Sequence, residues 1–417
     1  MQTQTDTPRW QGRAALFLVS QNLSLFGSSV AAYAIIWHIT MTTSSGLWMM
    51  LSTLCAMVPQ VLVSLFGGVL ADRYNRKVLV MLSDGFIALV TLGLALALRS
   101  GYAGLELLLV VSAVRSLGAG VQTPAVNALY PQLVPSEKLT KVQGLNQTVG
   151  SVLMLLAPPV SGVLLATAGL ASAFLVDVGT AALAIAVMSR IRVEKPVRTV
   201  APGTVWQDMR AGLRYTLCHP ALSRIIICFA CSFFLITPAA VLSPLLVQRT
   251  FGNDVWRLTA NEVAWTLGTL VGGIFVSLKG EFRDKVRTVA VGLLAFGVLF
   301  ALLGLAWDFV SYLLFMGIAG FFLPAVSTAQ TVHIQQSTEP EMLGRVFSIV
   351  QIITASAMPV AILVFGPLAD VVSVQWLLIV SGVLLALVGL WYGWLGNRNG
   401  SRGLLQGAAC PTDAKAE

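Results

Sequence analysis

Apolar runs of more than twenty residues recur along the chain, separated by short polar stretches that hold most of the charge. They fall at about 14–41, 46–70, 78–98, 104–129, 140–167 and 170–190, then 221–247, 258–279, 286–307, 309–333, 342–368 and 374–396. An α-helix rising 1.5 Å per residue needs about 20 residues to cross roughly 30 Å of hydrocarbon, so each run predicts one spanning helix. The twelve split six and six around a polar segment, 191–220. In that segment Val205, Met209, Leu213 and Leu217 recur every four residues, a stripe that predicts an amphipathic helix on the membrane face. The expected organisation is a first bundle over 1–190, a cytoplasmic linker over 191–220, a second bundle over 221–396 and a flexible cytoplasmic tail over 397–417.

Composition agrees. Of 417 residues 56% are hydrophobic and 11% charged, against about a quarter charged in soluble proteins. The fold class is therefore an all-α membrane protein. The net charge of +8 raises nucleic acid as a partner, and the placement of the charges removes it. With the N-terminus inside, 22 Lys and Arg lie on the cytoplasmic side, Arg99, Arg249 and Arg257 outside, and Arg115 within a span, which accounts for all 26. That is the positive-inside bias, and it puts both termini in the cytoplasm. The first run is too long for a cleaved signal and reads as a retained span. Cys228 and Cys231 have CxxC spacing inside an apolar run with no second pair to complete a site, so they read as inert thiols. There is no GxxxxGK[ST] loop for ATP, and His38, His219 and His333 are scattered, so neither an enzyme nor a metal site is expected.

The halves echo one another. "TPAVNAL" at 123–129 returns as "LPAVSTA" at 323–329, "LTKV" at 139–142 as "LGRV" at 343–346, and the glycine pair 67–68 as 272–273, all at offsets of 200 to 205. A finer repeat joins Gly68-Val69-Leu70, Gly162-Val163-Leu164 and Gly366-Pro367-Leu368-Ala369-Asp370. Three-helix units of opposite orientation within each six-helix bundle produce such echoes.

Between spans 2 and 3 stands "GGVLADRYNRKVLV", in which Gly68, Leu70, Ala71, Asp72, Arg73, Arg76 and Lys77 match the Gly-x-Leu-Ala-Asp-Arg-x-Gly-Arg-Lys signature. The chain here resembles the major facilitator superfamily, two pseudo-symmetric six-helix bundles that rock about a central site. The resemblance implies that this loop is a cytoplasmic gate, with Asp72 at a helix N-terminus and Arg73, Arg76 and Lys77 on carboxylates or lipid phosphates. The alternative is a pure topology anchor. Asn75 replaces the second glycine and is expected to keep its positive φ, and Ser277 stands where the second half would repeat Asp72.

Residues 114–141, with Gln21, Glu262 and "LGRVFSIV" at 343–350, resemble the macrolide-efflux group of drug:proton antiporters. An arginine motif of span 4 is met by Arg115, Gly118 and Gly120, and an antiporter motif of span 5 by Gly144, Pro158, Ser161 and Gly162, while Leu153 and Ala157 replace its glycines. The resemblance implies a bacterial inner-membrane carrier, functional as a monomer among membrane lipids, that exchanges a small amphipathic substrate for protons. It needs no cofactor beyond the proton gradient.

A charge at the bilayer centre costs about 3 kcal/mol or more and so requires a partner or a task. Arg115, about 17 Å into span 4, is the leading proton-coupling candidate, with a static ion pair as the alternative. Asp177 and Asp84 are potential proton carriers, Asp84 equally a gate partner to the basic loop. Glu262 begins span 8 and reads as solvated or substrate-facing. By the resemblance spans 1, 4, 7 and 10 line the cavity, offering Gln21, Asn22, Gln122, Asn127, Phe233, Phe234, Phe321 and Phe322, although helix packing explains any single phenylalanine equally well. Pro124, Pro158, Pro159, Pro238, Pro324 and Pro359 are expected to interrupt helices. The functional expectation is proton-driven export of hydrophobic drugs, macrolides first. The rivals are export of a siderophore or lipid-like metabolite and a non-transporting receptor on the same fold.

Overall fold

A computed structural model describes residues 9–400 except 102–103, 192, 194–213, 215–219, 281, 283 and 339–341. The linker stripe of Val205, Met209, Leu213 and Leu217 and the tail beyond residue 400 lie outside the described residues. So do the surroundings of Gly68 and the side chain of Asp72, although both positions are helical.

Thirteen α-helices are described. They are α1 (Arg9–Thr43), α2 (Gly46–Arg73), α3 (Arg76–Arg99), α4 (Leu105–Leu133), α5 (Leu139–Thr167), α6 (Leu170–Ser189), α7 (Pro220–Val241), α8 (Ser243–Phe251), α9 (Val255–Lys279), α10 (Lys285–Gly304), α11 (Phe309–Ser337), α12 (Leu343–Val371) and α13 (Val374–Gly400). Together they give twelve spans long and apolar enough to cross a membrane, α7 and α8 sharing the seventh. In lipid the backbone must satisfy its own polar groups, which the helix does within one segment.

The ends show how sequence sets the boundaries. Asn75 sits at φ −65°, ψ 113°, and its side chain accepts from the Lys77 and Val78 amides, capping α3. The expected positive φ is therefore absent: asparagine serves here as an N-cap. Asp308 and Ser311 form a reciprocal capping box at the start of α11. Hydrogen bonds from the Ser311 hydroxyl and amide hold the Asp308 carboxyl below its ordinary range. The prolines are a second correction. Pro124, Pro158, Pro159, Pro238, Pro324 and Pro359 all lie inside helices that continue past them, and among the described residues the one break within a span is at Leu242, between Pro238 and Pro244. In a chain with no water to take up freed carbonyls, neighbouring helices hold the segment helical.

The chain divides into two compact units, Met1–Val200 with Gly252–Thr259, and Ala201–Phe251 with Ala260–Glu417. Within the first, α3 packs on α4 and α6, and α1 on α5 and α6. Within the second, α10 packs on α11 and α13, and α7 on α12 and α13. These are the same pairings at repeat positions, so the echoes in sequence are echoes in packing.

Candidate functional site

Among the described residues the first unit has two apolar clusters, one near each end. Phe17, Val80, Leu129, Tyr130 and Met188 build one; Ile35, Leu94, Leu108 and Phe174 build the other. Between them α1, α3, α4 and α6 contribute a buried polar layer. Its residues recur at helical spacing, so each helix turns a single face inward: Ser20, Ser24 and Ser28 on α1, Asp84 and Thr91 on α3, Arg115 and Gln122 on α4.

The layer has two tiers. In one, Asp177 of α6 forms an ion pair with Arg115, and its side chain is 1% exposed against 11% for the arginine. Asp177 Oδ1 also accepts from Ser28 at 3.1 Å, and Oδ2 accepts from Thr91 at 3.2 Å and from Arg115. Arg115 NH1 lies against the Thr91 hydroxyl as well. In the other tier Asp84 Oδ1 accepts from Ser24 and from Gln122 Nε2, both at 2.6 Å. Asp84 Oδ2 is buried and meets no donor among the described residues. The expectation that Asp84 pairs with the basic loop is thus corrected: its partners come from mid-helix positions of α1 and α4. Ser24, Ser28 and Thr91 were missed by sequence reasoning, although the four-residue hydroxyl spacing on an apolar helix was visible. Two buried charges of opposite sign can pair, and a third, uncompensated carboxyl can hold a proton.

The gate loop is also concrete. Arg76 donates to the Ala71 carbonyl at 3.0 Å and the Ala128 carbonyl at 2.8 Å, and Lys77 donates to the Ser189 and Ile191 carbonyls, both at 2.8 Å. Neither reaches a carboxylate in these bonds. Both cap carbonyls near helix ends, where the helix dipole favours a cation. Arg73 is exposed.

The cavity candidates separate. Gln122 is half-buried and tied to Asp84, whereas Asn127 is exposed. Asn22, at 4% exposure, donates to the Leu18 carbonyl and to Asn146 on α5, which makes it a helix-packing residue. Gln21 is half-buried, its Nε2 buried without an acceptor among the described residues. Phe233 stacks on Phe229 at 6.1 Å, Phe234 packs on Phe365 at 5.3 Å, and Phe321 contacts Phe275 and Phe322 at 5.4 and 5.5 Å. Glu262 sits about two turns into α9, next to Asn261, which donates to it at 3.3 Å. Asn261 also accepts from the fully buried Tyr312 at 2.9 Å and approaches Ser243, where the seventh span breaks. In the antiporter segment Ser161 donates to the Val30 carbonyl at 3.0 Å, Pro158 and Gly162 are buried, and Gly144 has open space around it. Among the described residues no group of three His, Cys, Asp or Glu could hold a metal ion.

Comparison with known proteins agrees with this architecture. The chain is 27% identical over 388 residues to Macrolide efflux protein A of Streptococcus pyogenes, covering 91% of this chain and 95% of that protein. It is 26% identical over 341 residues to the Enterobactin exporter EntS of Escherichia coli O1:K1, covering 77% and 78%. Its fold matches the inward-facing, unoccupied crystal structure of a bacterial homologue of the human lysosomal transporter Spinster, with a TM-score of 0.69 at 15% identity over 95% of this chain and 99% of that one. The model of the Major Facilitator Superfamily matches residues 15–361, and the chain, a multi-pass membrane transporter of small molecules, belongs to that superfamily.

Proposed function

We propose that this protein exports hydrophobic or amphipathic small molecules in exchange for protons, with macrolides as the leading substrate class. The observation that carries the coupling is the buried layer of one guanidinium and two carboxylates in the first unit. Charges there require a task, and an arginine–carboxylate pair beside a second, unpaired carboxyl is suited to carrying a proton. The likeness to Macrolide efflux protein A over most of the chain supports the reading of export and of macrolides as substrate. In this reading the chain lies in the bacterial inner membrane with both ends in the cytoplasm and works as a monomer. Protons entering from outside displace the substrate, and their release to the cytoplasm resets the carrier.

The likeness to the Enterobactin exporter EntS favours a second reading, export of a siderophore or similar metabolite. Accumulation of labelled erythromycin in drug-sensitive cells expressing the protein separates the two. Lower accumulation, restored by an uncoupler and by Arg115→Ala, supports macrolide export. Unchanged accumulation with the protein confirmed in the membrane removes macrolides.

A further inference from the structure

We infer that the coupling proton binds Asp84 Oδ2, and that Gln122 transmits its presence to the substrate. This rests on the proton-coupled reading above and assigns the proton within it.

The two tiers differ in charge balance. Asp177 has a guanidinium and two hydroxyls on its oxygens, so its charge is compensated where it stands. Asp84 is 2% exposed, has neutral donors on Oδ1 alone, and offers Oδ2 nothing but its own proton. The charged group that acts on it is Asp177 on α6, which is itself engaged with Arg115 of α4. Between Arg13 and Tyr33 α1 carries no ionisable side chain, between its ends α2 carries the Cys55 thiol alone, and α5 carries none beyond Lys141. The site does not suit a metal cation. Ser24 and Gln122 both turn donors, not lone pairs, toward the carboxylate.

Gln122 makes the site a switch. Its amide nitrogen is held by the buried acid, and the residue is itself half-buried. An amide that donates to a carboxylate becomes a better acceptor at its oxygen, because hydrogen bonds in series polarise one another. A substrate ammonium or hydroxyl donating to Gln122 Oε1 therefore binds best when Asp84 is ionised. By reciprocity, binding it drives the Asp84 proton off: the Oδ2–H bond breaks and the proton passes to water. Protonation weakens Oδ1 as an acceptor, loosens Gln122 and lowers substrate affinity. The sign is that of an antiporter, and the substrate class it selects carries a hydrogen-bond donor.

The test uses purified full-length protein with erythromycin as probe, in weakly buffered detergent containing a pH indicator, alongside an infrared pH titration. Wild type should release protons on binding erythromycin, with affinity that rises with pH. Asp84→Asn should bind without release and without pH dependence, and Gln122→Leu should bind weakly. The infrared band of a protonated buried carboxyl should vanish in Asp84→Asn and persist in the Arg115→Gln/Asp177→Asn double variant. Proton release from Asp84→Asn, or a carboxyl band that survives in it and disappears in the double variant, overturns the assignment. If erythromycin does not bind wild type, the macrolide reading fails while the infrared band still decides Asp84.

Discussion

Gly67 and Gly120 meet where α2 crosses α4, so closely that a Cβ on Gly67 would stand 2.6 Å from the Gly120 carbonyl oxygen. Gly120 in turn faces the Gln60 carbonyl, 2.7 Å from where its own Cβ would be. The second half repeats the crossing: a Cβ on Gly272 would strike the Phe321 carbonyl, and one on Gly268 the Gly317 carbonyl. Small residues at these positions let the helices approach, the usual basis of association in lipid. Gly67→Val and Gly272→Val should each cost about 1–3 kcal/mol by overpacking and lower the melting temperature in detergent. Gly93→Ala, with no neighbour within 4 Å, should leave it unchanged. Equal melting temperatures for all three would contradict the packing account.

Breaking the buried Arg115–Asp177 pair costs the fold more than the intact pair contributes to it. Arg115→Ala leaves a buried carboxylate uncompensated and should destabilise by about 3–5 kcal/mol, whereas Arg115→Met/Asp177→Leu should restore most of that loss. Thr91→Val should cost about 1 kcal/mol. Thermal unfolding of the set checks this. A double variant less stable than Arg115→Ala would show that the pair stabilises the fold outright.

Arg76 distinguishes a gate from an anchor. Its Nε and NH1 reach two carbonyls on different helices, Ala71 and Ala128, a fork that a lysine cannot reproduce. Arg76→Lys keeps the charge and should lower transport roughly tenfold, the equivalent of one charged hydrogen bond of about 1.5 kcal/mol. Full transport by Arg76→Lys would make the loop a topology anchor.

At Arg249 the carbonyl matters more than the carboxylate. Arg249 donates to Ala369 at 2.6 Å and pairs with Asp370 at 3.0 Å, each partner of the pair 31% exposed. A half-exposed pair contributes about 0–1 kcal/mol and weakens with salt. Asp370→Asn should therefore change the melting temperature little and remove its salt dependence, whereas Arg249→Ala should lower it further by uncovering the Ala369 carbonyl. The reverse order would make the ion pair dominant.

Spans, repeats and the gate motif were legible because each is written in a local pattern: apolar length, charge position or a run of small residues. Asn75 was misread for a local reason, since one sequence allows either a turn with positive φ or an N-cap and the neighbouring amides choose. The prolines were misread because their cost depends on which neighbours cover the freed carbonyl. Asp84 was found as a buried acid, but its partners Ser24 and Gln122 lie 60 and 38 residues away, beyond any local pattern. Asp177 was singled out by depth, and Arg115 by depth and by the span 4 motif. Their pairing needed the packing of α4 and α6 around α3.

The central claim is that protons drive export. Purified protein in liposomes loaded with labelled erythromycin, with a pH gradient imposed and the membrane potential clamped, tests it directly. Movement of erythromycin toward the acidic side, against its own gradient and abolished by an ionophore that collapses the pH difference, is the predicted result. Erythromycin that moves only down its gradient at a rate indifferent to pH would contradict the account.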